Sequence, residues 1–309
     1  MTLPLSRRRF LCISAAICAT PALASGGGAT WQGMALGAPA SIRLEGVSPA
    51  AAQPVFSAVE AELSHLEGIF SLFRPGSSLA ALNRDGQLTA PPAELLEVLS
   101  LCDTLHRESA GAFDPTVQVL WHAHAEAATK GRQVTPAERE AALERTGWQH
   151  LRFDAGAIGF DRPGMALTLN GIAQGYITDR IARLLARRGF GNTVVDMGEV
   201  LATGHKTGGE PWVAGIAGND GTILHRITLT DRALATSSPL GTVLDPQGRI
   251  GHIIDPRSGD PAGDRTLVSV SAPDAALADG LSTACCLVEA DRAGAIVAQF
   301  PDAKVEALV

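Results

Sequence analysis

Tyrosine is nearly absent from this chain: Tyr176 is alone among 309 residues, and all aromatics together reach only 5%. A ring-bearing ligand would have to stack on Phe, Trp or Met instead. Cysteine is scarce too, and beyond the first 24 residues only Cys102, Cys285 and Cys286 remain. Three cysteines, two of them adjacent, do not make a disulfide framework. Cys285 and Cys286 sit in an apolar helix as small core residues. No apolar run past the N-terminus is long and uncharged enough to span a bilayer. Positive charge is in deficit, with 25 Lys and Arg against 32 Asp and Glu, which argues against nucleic acid as the main partner. Internal repeats, low-complexity tracts and long linkers are also missing.

What is present begins with an address. Ser6-Arg7-Arg8-Arg9-Phe10-Leu11 precedes a short alanine-rich apolar run, and Ala22-Leu23-Ala24 offers small residues for cleavage before Ser25. Paired arginines followed by Phe and Leu fit a twin-arginine export signal over residues 1–24, leaving 25–309 as the mature domain in the periplasm. The apolar run is too short for a membrane anchor, and Ile17 before Cys18 suits lipoprotein processing poorly. Cleavage removes three arginines and no acid, so the formal charge moves from −7 to −10. Twin-arginine export carries folded proteins, often with a cofactor already acquired.

The chain is organised around Leu167–Leu185, LTLNGIAQGYITDRIARLL. A short apolar run predicts a strand, Asn170-Gly171 a turn, and Ile177, Ile181, Leu184 and Leu185 at helical spacing an amphipathic helix that stops at Gly189. Helical N–H groups at such a turn suit an anion or a metal-bound phosphate. Elsewhere, residues 31–46 read as a strand pair or one long strand, and 50–70 as a helix through Val55, Val59, Leu63, Leu66 and Phe70. Ser77 or Ser78 caps a short helix after Pro75-Gly76, and Phe73, just before the turn, reads as a core aromatic ahead of the alternative, a surface for a ring to stack on. A helix over 92–109 leads to Gly111-Ala112-Phe113-Asp114-Pro115-Thr116, where the Asp114 carboxylate serves the backbone or a ligand hydroxyl. Trp121-His122-Ala123-His124 reads as surface helix rather than a metal pair, and 125–147 as polar and helical with a start at Thr135-Pro136-Ala137-Glu138. Strands follow at Thr193–Met197, Trp212–Ile216, Leu224–Leu229 and Gly251–Ile254, the last running into the turn at Asp255-Pro256. Helices early and strands later predict an α+β fold with antiparallel strands rather than repeated βαβ units.

Ala278-Asp279-Gly280-Leu281-Ser282-Thr283-Ala284 opens the last long helix. Asp279 and Thr283 are four apart, so carboxylate and hydroxyl share one face, one turn apart. A hard cation such as Mg²⁺ wants oxygen ligands of this kind. The plainer alternative is that Asp279 favours the positive end of its own helix. Asp279 is expected to be partly exposed.

The segments SLFRPGSSLAALN, GAFDPT, LNGIAQGYITD, GHIIDPRSG and ADGLSTA, taken together, resemble the ApbE family of FAD:protein FMN transferases over most of the mature chain, from about Met34 to Leu287. The resemblance implies antiparallel sheets flanked by helices, T-fold-like, with FAD in a cleft between subdomains. It implies Mg²⁺ held by Asp279, Thr283 and a main-chain oxygen of Gly171. It implies FAD contacts at Met34, Phe73, Ala112, Phe113, Asp114, Thr168, Gln174 and Ile254, and His252 assisting proton transfer from an acceptor threonine. The expected reaction transfers FMN from FAD, as substrate, to a threonine hydroxyl of an acceptor flavoprotein, releasing AMP. The LNGIAQGY turn resembles members linked to nitrous oxide reductase maturation, whose acceptor is a membrane-bound electron-transfer protein. Departures from the family pattern are Asn170 and Gln174 in the glycine turn, Thr168 where Asp is common, Thr236–Leu240 without the usual glycine and tyrosine, and Ser282 where some members carry an acid.

Two rivals share these features: a metal-dependent FAD pyrophosphatase giving FMN and AMP, and an exported FAD-binding protein without turnover. A nicotinamide dehydrogenase is set aside because Gly171 and Gly175 do not make the dinucleotide fingerprint. A periplasmic solute-binding protein has no need of Asp and Thr on one helix face.

Overall fold

Leu36 and Gly37, at φ +49° and +87°, fold the first apolar stretch back on itself as β1 (Gly28–Ala35) and β2 (Ala38–Glu45). A two-residue turn with both φ positive matches the twist of its strands, so residues 31–46 form a pair. The computed structural model describes residues 27–309 apart from Asn219 and Asp264, and the export signal expected at 1–24 lies outside the described residues. Helix α1 (Pro49–Phe70) starts where the Ser48 hydroxyl accepts the Ala51 N–H, and buries Val55, Val59, Leu63 and Leu66 on one face. Each such side chain contributes roughly 1.5–3 kcal/mol. Helix α2 (Ser78–Asp85) is capped by Ser77 and ends at left-handed Gly86. Then come β3 (Gln87–Thr89) and α3 (Ala93–Glu108). The polar region 125–147 is not one helix. It holds the end of α4 (Gln118–Thr129) and all of α5 (Pro136–Leu143), the latter opened by the Thr135–Glu138 capping box. Strands β4 (Leu151–Phe153) and β5 (Ala157–Phe160) complete a three-stranded sheet with β3.

Leu167–Leu169, expected as a strand, is irregular. Its backbone partner is a side chain: Asn83 Oδ1 accepts the Leu167 N–H at 2.7 Å, and Asn83 Nδ2 donates to the Leu167 carbonyl at 2.8 Å. An amide side chain satisfies one donor and one acceptor as a neighbouring strand would, and hydrophobic alternation cannot distinguish the two. Helix α6 (Ala173–Arg187) follows. After it come β6 (Thr193–Asp196), β7 (Val200–Thr203), β8 (Trp212–Ala217), β9 (Ile223–Leu229) and β10 (Arg232–Ser237). The strand expected at Gly251–Ile254 is absent, and this loop makes only the isolated bridges Val243–Gly251 and Ile254–Pro261. The chain closes with β11 (Val268–Ala272), α7 (Ala275–Cys285), α8 (Ala290–Val297) and β12 (Lys304–Leu308). Thus the Asp279 helix begins before Ala278 and is followed by another.

The main sheet has seven strands in the order β1-β2-β6-β7-β10-β11-β12, and every pairing is antiparallel. This is the expected α+β class. Successive side chains of a strand point to opposite faces, and the centre of the sheet is buried on both. Val195, Leu201, Ala233 and Ala235 join the large core beneath α1, α6 and α7, whereas Val194, Val200, Ala202 and Leu234 face the β8–β9 hairpin with Trp212 and Ile216. A smaller cluster of Val119, Leu120, Ala142 and Ile254 holds α4 and α5 against the irregular 250s loop. The cleft opens between this helical lobe and the ends of the main sheet.

Candidate active site

Two helix starts meet at the bottom of the cleft, and each is capped by an aspartate of the other helix. The Gly175 N–H, in the first turn of α6, donates to Asp279 Oδ2 of α7 at 3.2 Å. In return, Asp179 of α6 accepts the first N–H groups of α7, from Ala275 at 2.7 Å and Ala276 at 3.0 Å. The helices approach so closely that a Cβ at position 175 would lie 2.3 Å from the Ala275 carbonyl oxygen. Only glycine fits there. One N–H at the start of α6 is thus taken by the protein's own Asp279 carboxylate. Asp279 sits in the second turn of α7, so the helix end it meets belongs to α6, which corrects the alternative of capping its own helix. It is also not partly exposed, but 3% accessible. Burial pushes its carboxyl up to about 7, with the Asp179 charge adding and the Gly175 N–H opposing. Asp179 is likewise pushed up to about 7 by burial, against the two N–H groups it accepts.

One turn beyond Asp279, Thr283 presents Oγ1 to the glycine turn. A Cβ built on Gly171 would fall 2.9 Å from that hydroxyl, so the bare backbone of Gly171 is what lets the turn press against α7. Carboxylate, hydroxyl and main chain thus converge on one corner. An all-oxygen set of this kind fits a hard cation that keeps further positions for phosphate and water. Among the described residues no group of three or more His, Cys, Asp or Glu could hold a metal. A cation in this corner would depend on the mixed oxygen set.

Above the corner lies an open cleft with an inner volume of about 190 Å³. The sequence-selected residues His252, Phe73, Ala112, Phe113, Asp114, Thr168, Gln174, Ile254, Gly171, Asp279 and Thr283 all line it; Met34 does not. Met34 is 55% exposed near the end of β1, while Leu36 and Ala38 of the same hairpin reach the cleft. Phe73 is no core aromatic: at 58% exposure it stands on the rim, three residues past the end of α1. The Asp114 carboxylate serves the backbone. Its Oδ1 accepts the Thr116 N–H and hydroxyl at 2.8 and 2.6 Å, and Oδ2 accepts the Trp148 N–H at 2.9 Å. Gln174 Nε2 donates to the Met197 carbonyl at 3.3 Å, tying α6 to the β6–β7 turn.

His252 Nδ1 lies 3.1 Å from the Thr242 carbonyl, which only a ring N–H can satisfy. Burial lowers its pKa from the ordinary 6.5 against the pull of the Thr242 and Pro239 carbonyls, so burial favours the neutral ring. Sequence reasoning did not select Trp121, Glu199, Ser237 and Thr242, which also line the cleft. They come from a helix, a strand turn, a strand end and a loop far apart in the chain, and no local spacing marks them. The weak signal was the Thr236-Ser237-Ser238 run, a hydroxyl cluster closing a strand.

The ApbE family model matches residues 36–309. A FAD:protein FMN transferase of Chlamydia pneumoniae is 32% identical over 71% of this chain and 71% of its own length. One from Klebsiella pneumoniae strain 342 is 26% identical over 90% of this chain and 83% of its own length. Among solved structures, the flavin transferase ApbE from Vibrio cholerae superposes with a TM-score of 0.78 at 25% identity, covering 91% of this chain and 93% of that one. The apo flavinyl transferase ApbE of Pseudomonas stutzeri gives 0.76 at 26% identity, covering 90% and 89%.

Proposed function

The chain belongs to the ApbE family and transfers FMN from FAD to an acceptor protein; we propose that the acceptor atom is a threonine hydroxyl and that Mg²⁺ assists its attack. The observation that carries this reading is the meeting of Asp279, Thr283 and the Gly171 main chain in one corner of the cleft. Those three residues would hold the cation. When bound, Mg²⁺ draws charge from the phosphoryl oxygens while the pyrophosphate bond to AMP breaks. The chain's own groups do the rest. His252, which lines the cleft and whose neutral form burial favours, takes the proton of the attacking hydroxyl. A threonine Oγ–P bond forms, the P–O bond to AMP breaks, and FMN stays on the acceptor as a phosphoester. Phe73 and Trp121 offer the aromatic faces that the lone tyrosine does not. Tyr176 is committed elsewhere, to Glu97 and Arg180.

Residues 1–24 support a periplasmic site of action, reached by twin-arginine export. The glycine-turn resemblance supports a membrane-bound electron-transfer flavoprotein as acceptor. Incubation of the mature protein with FAD, Mg²⁺ and an acceptor domain carrying the flavinylation threonine tests the reading by intact mass. The expected result is a gain of one FMN on the acceptor, abolished by EDTA. Release of AMP and FMN without an adduct would replace transfer by pyrophosphate hydrolysis.

A further inference from the structure

Three hydroxyls stand in line behind the metal corner, and their directions can be worked out from one end. Ser282 Oγ donates to the Asp279 carbonyl at 3.0 Å. A carbonyl can only accept, so the single hydrogen of Ser282 is spent there. Ser282 Oγ also lies 2.7 Å from Ser237 Oγ. In that bond Ser282 must accept, and Ser237 must donate. Ser237 Oγ lies 3.2 Å from Thr283 Oγ1. With its own hydrogen committed, Ser237 accepts, and the hydrogen is that of Thr283. Thr283 Oγ1 has no other hydrogen-bond partner among the described residues. The Thr283 hydrogen is thereby turned toward the end of β10, and its lone pairs are left for the glycine turn.

We propose that Ser237 and Ser282 are positioning residues that polarise the Thr283 hydroxyl into an acceptor-only ligand for the cation. The proposal rests on the Mg²⁺ reading above. A free hydroxyl rotates and can aim its hydrogen at a cation, which repels it. Fixing the rotor removes that orientation and its entropy before the cation arrives. The same logic governs histidine ligands, whose second nitrogen is set by an outer hydrogen bond. Here the outer shell is two serines, one on α7 and one at the last position of β10. It therefore ties the ligand to the sheet as well as to its own helix. Ser282 is fully buried, so no solvent competes at the far end of the relay, while Ser237, half-buried, sits between it and the cleft.

The test is Mn²⁺ binding to the mature protein, followed by electron paramagnetic resonance without FAD or acceptor, so turnover plays no part. Asp279→Ala and Thr283→Ala are the controls, and both should lose most of the affinity. Ser237→Ala should weaken binding about 10–100-fold, the range for outer-shell partners of a metal ligand. Ser237→Thr, which restores a hydroxyl, should recover most of the loss. Ser282→Ala should cost less, on the order of threefold, because Ser237 can still accept from Thr283 but is no longer compelled to. The double variant should bind no worse than Ser237→Ala, since the relay acts as one unit. Ser237→Ala within about twofold of the parent, with the controls impaired, sinks the proposal and leaves the metal site standing. Controls that bind Mn²⁺ like the parent remove the metal reading and the proposal with it.

Discussion

Asp179 and Asp279 are near-mirror images with different occupations. Each sits on one of two helices that cross at their starts, each reaches the other helix's N-terminus, and each is pushed up to about 7 by burial. Asp179 spends both oxygens on N–H groups, at 2.7 and 3.0 Å, whereas Asp279 receives one N–H, at 3.2 Å, on Oδ2 alone. Asp279 also lines the cleft, and Asp179 does not. The difference teaches how a pseudo-symmetric joint yields one structural carboxylate and one with coordination to spare. Asp279 keeps acceptor capacity on the cleft side, and the cation proposed above would fill it.

The sharpest way to break the comparison is to remove each acid in turn. Asp279→Ala is expected to lower FMN transfer by about 10³-fold or more, since a direct ligand outranks the 10–100-fold of outer partners. Its metal-free stability should stay within about 1 kcal/mol, because one long hydrogen bond is lost while a desolvated carboxylate is relieved. Transfer near the parent rate, with Mg²⁺ supplied, would show that the acids' roles are not divided this way. Asp179→Ala should do the reverse. It orphans two N–H groups at a buried helix start, at about 2–4 kcal/mol in urea unfolding, and what folds should still bind Mn²⁺.

The pairing of Asp279 with Thr283, proposed above as ligands, was legible in the sequence and the capping half of this joint was not. Asp279 and Thr283 are four apart on a helix, so their common face follows from helical geometry alone, and the family motif brought in Gly171. Asp179 sits in the same LNGIAQGYITD motif, yet nothing local says that it caps a helix starting at Ala275, nearly a hundred residues later. Ser237 was hidden for the same reason: it completes the site from the far end of a strand. The missed strands β3, β4, β5 and β7 have three or four residues each, too few to show alternation; β10 and β11, also missed along with β12, are buried on both faces and so show no alternation to read. The two strands wrongly expected, at Leu167 and Gly251, have strand-like composition but find other partners, the Asn83 amide in one case and isolated bridges in the other. Phe73 misled because an aromatic just before the Pro75-Gly76 turn can face the core or the rim, and the local pattern does not say which.

The crossing itself can be strained without touching either acid. A Gly175→Ala side chain would meet the Ala275 carbonyl, which is backbone and cannot swing aside. Overpacking of this sort costs about 1–3 kcal/mol. The helices should also move apart, loosening both caps at once. Thermal unfolding and Mn²⁺ affinity should therefore fall together in this variant, unlike in either aspartate variant. Loss of stability with unchanged Mn²⁺ affinity would mean that the ligand acid does not depend on the crossing.

Asp179→Asn keeps the outline of the side chain, removes its charge and exchanges one of its two acceptor oxygens for an amide NH2 that cannot accept from α7. The acid has an ordinary value of 3.8 and is held at about 7 in the fold. Between those values the unfolded chain is ionised while the folded chain keeps the proton, so folding takes up a proton. Stability from this group is then complete below pH 4, declines as pH rises toward 7, and levels off above it. Asp179→Asn cannot ionise and lacks that decline. The parent should therefore lose more stability than Asp179→Asn between pH 5 and pH 8, in urea titrations run without metal. Equal slopes for parent and variant would mean that the two N–H groups of α7 already hold Asp179 ionised, and that burial counts for less at this acid than at Asp279.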